Sequence, residues 1–444
     1  MKINFFSPLP GLATDIANMS ASVLPELAAI AEVRAWTPQH EWRDGIDKGF
    51  EIRRFDPDNL PIREFNWADV NFFNVGNNAL FHRDIFNVAR KIPGVMILHD
   101  VRLAHFFGAY SERESVDHAY YISEMDKVGL GQAARRLVAG EIPFSTIADL
   151  EPMTQAALRP ALAGIIHNRT EMEPLLDNRT VPLFYVPLCL AKAMRPAPLE
   201  DSRTFSEGSP IRLVVFGFIG GNRCIAEILQ AIAGLPQRRS YTLDIYGTFE
   251  HPEPVEKLIG ELGLEDQVTC HGFVSDATLD EGLEQADLAI NLRNPTMGEA
   301  SGSQLRIWEN ALPSLVSDVG WYSELSSDVV RHVRPGNEVS ELQAYFREFR
   351  QFPQRFRKAG RQGRALLERD HHPASYAQSL LDIAEQAPEL HSRHLAMWLA
   401  RQSAMKIAKG VSNPASFTQG TALAERIQQL VKVPSSAAHT KAAS

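Results

Sequence analysis

The sequence predicts an α/β protein built from two doubly wound domains that face each other across a cleft, with helices appended at the C-terminal end. Three observations lead there. Short apolar runs alternate with helical patterns in both halves, a Pro-, Ser- and charge-rich stretch interrupts the alternation near the middle, and 444 residues are too many for one hydrophobic core. An apolar fraction of 44% with 22% charged residues is that of a globular protein able to bury such cores.

In order along the chain, KINFFS at residues 2–7 reads as a buried strand, PLPGLATD as a Pro/Gly loop, and residues 16–30 as a helix. VNFFNV at 70–75 and GVMILH at 94–99 are further strands, each followed by polar residues and a helical stretch. Ile165 and Ile166, and then VPLFYVPL at 181–188, close a first domain set at residues 1–190. AKAMRPAPLEDSRTFSEGSP reads as a solvated linker over 191–210. Alternation restarts with LVVFGF at 213–218 and runs through YTLDIYG, VTCHGF, LAINLR and PSLVSD, separated by helical segments such as EPVEKLIGELG, giving a second domain over 211–370. One basic helical stretch is predicted over 339–371, and ASYAQSLLDIAEQ, near 375–386, is predicted to cross back to the first domain. C-terminal helices extend to 432, and residues 433–444 read as a disordered tail. HLAMWLARQSAMKIAKG is read as a helix packed on the protein in preference to one lying on a membrane. In open parallel sheets ligands bind beyond the carboxyl ends of the strands, so the loops after strands are where chemistry belongs.

Bulk properties exclude several classes. A formal charge of −9 is wrong for a protein that coats nucleic acid. Cys189, Cys224 and Cys270 are too few and too scattered for a disulfide framework or a zinc site. No apolar run approaches the ~20 residues of a membrane span, and the first residues lack a secretory pattern. A cytoplasmic protein with at most peripheral membrane contact is expected.

The most informative stretch runs from Leu288 to Trp321. A strand ends near Arg293, a loop PTMGEASGS follows, and a helix begins near Ser301 and Gly302. Gly298, Ala300, Ser301, Gly302 and Ser303 leave backbone N–H groups open at a helix start, where a diphosphate is electrostatically favoured. Glu299 puts a carboxylate at the mouth of the turn, able to accept hydrogen bonds from sugar hydroxyls. NVGNN at 74–78 is a second strand-end turn, in which Asn77 is suited to hydroxyl recognition on an acceptor side or to capping the next helix.

With PTMGEASGS at 295–303 and VSDVGW at 316–321, the chain resembles a bacterial subgroup of the retaining glycosyltransferases of family four, over nearly all of residues 1–385. The resemblance implies the two-domain GT-B fold. It implies that VTCHGFVSD carries backbone contacts to a nucleobase near Phe273 and Val274, and that LHDVRLAHFF sets His99, at a strand end beside Asp100, against the donor sugar. Family members usually clamp the diphosphate with an Arg and, five positions later, a Lys. The matching residues here are Phe218 and Arg223, so Arg223 is the remaining donor-binding cation.

Two further departures stand out. The family's second glutamate falls on Ile307, or on Arg306 in a one-residue shifted alignment, and neither can accept from ribose hydroxyls. Where the family has glycine after the first strand, this chain reads Ala13-Thr14-Asp15, and Asp15 would repel a diphosphate or point at acceptor hydroxyls.

The function implied is retaining, metal-independent transfer of a hexose from a nucleotide sugar to a glycan, glycolipid or polysaccharide acceptor, with His99 and Glu299 orienting the sugar and no cofactor. The alternative is a non-catalytic relative that binds a sugar nucleotide or a partner in a polysaccharide assembly complex. No Asp-x-Asp metal-binding motif stands out in the cleft loops, and the Asp370-His371-His372 cluster lacks a third convergent metal ligand.

Overall fold

The computed structural model describes residues 1–12, 14–46, 49–111, 115–148, 150–178, 181–191, 194–196 and 210–410. Most of the predicted linker and everything beyond 410, including the tail at 433–444, lie outside the described residues.

The first half forms a 7-stranded parallel sheet from β1 (Lys2–Phe6), β2 (Glu32–Thr37), β3 (Glu51–Arg54), β4 (Val70–Val75), β5 (Val95–Leu98), β6 (Ala163–Ile166) and β7 (Leu183–Tyr185), in the order β3-β2-β1-β4-β5-β6-β7. The second half forms a 6-stranded parallel sheet from β8 (Ile211–Phe216), β9 (Tyr241–Tyr246), β10 (Val268–Gly272), β11 (Leu288–Asn291), β12 (Ser314–Ser317) and β13 (Arg331–Val333), in the order β10-β9-β8-β11-β12-β13. The order reverses between β1 and β4, and again between β8 and β11. These are the two switch points at which doubly wound sheets open a crevice.

Central strands are apolar throughout because both faces are covered. All four residues of β5, β6, β11 and β12 are buried. β2 and β3 were absent from the sequence reading. They hold the sheet edge with charges instead of an apolar run: Arg34 Nε lies 2.9 Å from Glu51, and Arg53 Nε 2.7 Å from the same carboxylate. Beneath them Phe6 stacks on Phe73 at 4.8 Å and meets Phe65 edge-on at 5.1 Å. The single basic helix anticipated over 339–371 is two helices, Glu338–Gln351 and Pro353–Asp370, because Pro353 cannot continue the first and starts the second.

The two sheets share a core. One cluster of buried residues runs from Met19, Val23 and Leu24 on the helix Asp15–Ala28, through Trp308, Trp321 and Tyr322, to Tyr376, Ala377 and Leu380 on the helix Pro373–Ala384. That last helix lies against Asp15–Ala28 and so ties the end of the second half to the first. Polar bonds brace the crossing: His371 Nδ1 meets the Leu188 carbonyl at 2.6 Å, and Arg364 donates to the carbonyls of Glu309 and Arg195 at 2.6 and 2.7 Å.

The helix Ala387–Gly410 is anchored by buried Leu390, but Leu395, Trp398 and Leu399 are 50–56% exposed. Packing therefore covers its start, not its middle. Among the described residues no helix is long and apolar enough to cross a membrane.

Candidate functional site

The first-domain wall of the cleft is built from residues that follow β4, β5 and β6. His99 continues β5, its amide bonded to the Val75 carbonyl at 3.0 Å. Its Nε2 meets Asn74 Oδ1 at 2.9 Å, and because Asn74 Nδ2 donates to the Phe6 carbonyl, Oδ1 must accept. The proton is thereby assigned to Nε2, leaving Nδ1 as the acceptor nitrogen. Burial, reinforced by His167 and His82, holds His99 well below the usual imidazole range, so it is neutral at pH 7.

His167 follows β6, and its ring centroid lies 5.1 Å from that of His99. Its Nδ1 is taken by the Val186 carbonyl at 2.7 Å, and burial lowers it to about 4.

Asp100 comes next. Its Oδ2 accepts from the Asn77 amide at 2.7 Å, and burial together with the nearby Glu299 charge pushes it up to about 7. Asn77 itself is turned to scaffold work, since its Oδ1 accepts from the Phe106 amide at 2.9 Å near the start of the helix Ala104–Ser111. Its Nδ2 makes no hydrogen bond among the described residues. The neighbouring Asn78 caps the helix Ala79–Ala89 through the Leu80 amide at 2.9 Å.

On the second-domain wall, the loop after β11 leads into the helix Gly302–Glu309. Ser301 is its N-cap, with Oγ accepting from the Gln304 amide at 3.1 Å. The amides of Gly302 and Ser303 make no hydrogen bond among the described residues and are open to an anion. Glu299 is folded back over its own loop: Oε2 accepts from Thr296 Oγ1 at 2.9 Å and the Met297 amide at 2.7 Å, while Oε1 lies 3.7 Å from Arg293 Nε. Gly298 has φ +77, and a Cβ there would stand 3.0 Å from Val101 of the opposite domain, so the close approach of the two walls requires glycine.

The loop is bonded across the cleft as well. The Arg102 amide donates to the Met297 carbonyl at 3.0 Å and Asn168 Nδ2 to the Gly298 carbonyl at 3.3 Å.

Arg223 does not stand free for a diphosphate as the sequence reading had it. The side chain is 1% exposed, and Nη1 bonds Asn291 Oδ1 at 2.9 Å, Nε the Phe218 carbonyl at 3.2 Å, and Nη2 the Phe216 carbonyl. The guanidinium is tucked beneath the ends of β8 and β11, where burial lowers it to about 9. Arg293 is the cation that faces the cleft, and sequence reasoning passed over it as a strand end. Its Nε is buried and has no hydrogen-bond partner, and it acts electrostatically on Asp15 and Asp100.

Of the positions matching the family's second glutamate, Ile307 is buried in the core. Arg306 bridges Asp276 and Asp280 at 2.7 and 2.9 Å. Phe273 is 81% exposed after β10, and Val274 is half-buried beside it. Ala300 is buried, and Ser303 Oγ lies 3.6 Å from where a Cβ on Gly217 would be.

Asp15, the first residue of its helix, crosses the cleft: Oδ2 lies 3.7 Å from where a Cβ on Gly302 would be. It makes no hydrogen bond or ion pair among the described residues. Solvent reaches it, yet atoms of both walls crowd it, and this raises its carboxyl against the lowering pull of Arg306 and Arg293. The cleft thus brings His99, Asp100, Glu299, Arg293, Asp15 and the helix start at Gly302 together. Phe273 and Val274 stand further out at the end of β10.

No three His, Cys, Asp or Glu residues among those described are grouped to hold a metal. His371 is held by a carbonyl, and His372 caps its own helix through the Ala374 amide.

Residues 203–364 match a protein-family model described as "Glycosyl transferases group 1". No curated protein is significantly similar in sequence. Among solved structures, the chain is similar to WaaG, a glycosyltransferase involved in lipopolysaccharide biosynthesis, at 17% identity and TM-score 0.54, covering 86% of this chain and 99% of that one. It is also similar to Anabaena HepE in complex with UDP and glucose, at 13% identity and TM-score 0.57, covering 87% and 100%. Sucrose-phosphate synthase from Thermosynechococcus elongatus matches at 15% identity and TM-score 0.59, covering 87% and 98%. At these identities the likeness is one of fold, and the fold is GT-B.

Proposed function

We propose that this GT-B chain is a retaining glycosyltransferase that moves a hexosyl group from a nucleoside-diphosphate donor to a glycan or lipid-linked acceptor, without a metal. The observation that carries this reading is the set of groups gathered in the cleft: the open amides of Gly302 and Ser303, Arg293, whose Nε has no hydrogen bond among the described residues and lies 3.7 Å from Glu299, and His99 with a free acceptor nitrogen. The group 1 match over residues 203–364 covers that wall. Relatives of the same fold that bind UDP and glucose lend it support.

In the transfer, the bond between the anomeric carbon and the phosphate oxygen breaks, its electron pair leaving with the diphosphate. A bond forms from the acceptor oxygen to the same face of that carbon, and the acceptor's proton passes to the departing phosphate. The protein supplies positioning and charge. His99 Nδ1 accepts from a sugar hydroxyl, and Glu299 Oε1 orients another. Arg293 and the helix start receive the phosphate charge, with Arg223 holding the floor beneath them. The backbone at Phe273 and Val274 meets the nucleobase, and Asn77 Nδ2 serves the acceptor side.

A cytoplasmic enzyme with a lipid-linked acceptor would touch the inner face of a membrane, and exposed Leu395, Trp398 and Leu399 suit such peripheral contact. Sedimentation of a Trp398→Ser variant with vesicles tests that part.

The reading is tested by incubating the protein with a panel of nucleotide sugars and measuring release of nucleoside diphosphate. Release with none, despite a thermal shift with some, favours the second reading, a non-catalytic binder. Commitment of Arg223 to carbonyls and the presence of Asp15 in the cleft are the observations on its side.

A further inference from the structure

We propose that Asp15 is a charge-discriminating residue of the donor pocket, which weakens binding of the nucleoside diphosphate product more than that of the sugar nucleotide and so speeds product release. This rests on the donor reading above and adds a role for a residue that the chemistry of transfer does not use.

The geometry is specific. Helix Asp15–Ala28 of the first domain and helix Gly302–Glu309 of the second begin against each other across the cleft, and the Asp15 carboxylate lies between them, 3.7 Å from the position of a Cβ on Gly302. A carboxylate so close to an arginine would ordinarily be consumed by an ion pair. Arg306 is instead bound to Asp276 and Asp280 at 2.7 and 2.9 Å, Arg293 to Glu299 at 3.7 Å, and Arg223 to carbonyls and Asn291. Asp15 is left with no partner, beside the amides that an incoming phosphate would use. No ion pair among the described residues takes up its charge when it is ionised, and that charge acts on whatever binds there.

A sugar nucleotide brings two phosphate charges, both on diester-like phosphates. Once the sugar has left, the terminal phosphate is a monoester-like group whose second ionisation lies near pH ~6, so the product carries about one charge more at neutral pH. Repulsion by a fixed carboxylate scales with that charge, and it is largest for the terminal phosphate, the one nearest the helix start. The same carboxylate exacts less from the donor than from the product. Retention of product is a common limit on turnover, and a pocket with open amides and an arginine would otherwise hold a diphosphate well.

The experiment compares dissociation constants of nucleoside diphosphate and of its sugar nucleotide, by titration calorimetry, for the wild type, Asp15→Asn and Asp15→Glu. Thermal unfolding verifies that each variant is folded. Asp15→Asn should tighten the diphosphate by roughly tenfold, and by about three times more than it tightens the sugar nucleotide, while Asp15→Glu should restore the wild-type ratio. Equal tightening of both ligands, or none, overturns the role given to Asp15 and leaves the donor reading standing. Failure of the wild type and of both variants to bind any sugar nucleotide or diphosphate overturns the donor reading and this inference with it. Should Asp15→Asn not fold, the ratio is read from Asp15→Ser instead.

Discussion

Replacing Glu299 by glutamine separates chemistry from scaffold, provided it is paired with Thr296→Val. In the wild type Oε2 takes two hydrogen bonds, from Thr296 Oγ1 at 2.9 Å and the Met297 amide at 2.7 Å, and Oε1 faces Arg293 at 3.7 Å. Bonds to a charged group contribute about 1.5–3 kcal/mol each. Glutamine retains one acceptor oxygen for the Met297 amide and loses the charge, so the loop should be destabilised by about 1–3 kcal/mol, a fall of several degrees in melting temperature. Thr296→Val removes one of the same bonds and leaves the carboxylate in place. If Glu299 orients the donor sugar, Glu299→Gln should lower transfer by roughly 10²-fold or more, while Thr296→Val lowers it only a few-fold. Transfer rate and melting temperature are measured on both variants. Matching losses of transfer in the two would refute the reasoning and reduce Glu299 to a brace for its loop.

Arg223→Met should cost about 3 kcal/mol or more of stability, because it strands the Phe216 and Phe218 carbonyls and Asn291 Oδ1 in the interior, whereas Arg293→Met should leave melting nearly unchanged and weaken diphosphate binding at least tenfold; the reverse pattern in thermal shift and calorimetry would exchange their roles. Asp100 is raised from 3.8 to about 7, so the folded state holds this proton more tightly than the unfolded one, and the resulting stability is present in full below its unfolded value and is lost as pH rises through about 7. Asp100→Asn keeps an acceptor for the Asn77 amide without ionising, so wild-type melting should fall relative to this variant between about pH 4 and pH 7, and a difference that does not change with pH would contradict the assignment. Turnover should survive EDTA, since helix amides and Arg293 take the place of metal-binding carboxylates; loss in EDTA with recovery on adding magnesium or manganese would show that the phosphate site is misread.

Much of the fold was legible because the strands that carry it are covered on both faces. VNFFNV coincides with β4, and LAIN and SLVS are buried at every position, which leaves an apolar run that a sequence reading can find. β2 and β3 were invisible for the complementary reason. At the sheet edge the burial signal is diluted by Arg34, Glu51 and Arg53, whose ion pairs make sense only once the strands are side by side. In the site, the family resemblance of LHDVRLAHFF, together with its strand-end position, drew attention to His99, and the loop composition drew attention to Glu299. His167 stands in the same relation to β6 as His99 does to β5. Only the pairing of β5 with β6, which brings the rings to 5.1 Å, distinguishes it from any other buried histidine.

The direction of a guanidinium is harder to read than its presence, and Arg223 illustrates why. Its loop follows β8 at the switch point, where a cation would serve a phosphate, but three features turn it inward. Gly217 has φ +108, and a Cβ there would lie 2.6 Å from Arg223 Nη2, so the absence of a side chain opens the slot. Asn291 at the end of β11 offers its Oδ1 to Nη1, and its own Nδ2 bonds Gln304 Oε1 at 3.1 Å, which fixes the amide in that orientation. Carbonyls at the end of β8 supply the remaining acceptors. Glycine at 217, asparagine at 291 and arginine at 223 therefore form a signature of an inward cation, spread over more than seventy residues and unreadable without the β8–β11 pairing. Its consequence is electrostatic. With Arg223 lowered to about 9 by burial and Arg306 tied to two carboxylates, the charge that can meet a diphosphate comes chiefly from Arg293 and the helix start, and Asp15 opposes it. On the proposed donor reading, a seat so weakly positive would hold a diphosphate through geometry more than through charge, and that is the condition under which a single carboxylate can decide how fast the product leaves.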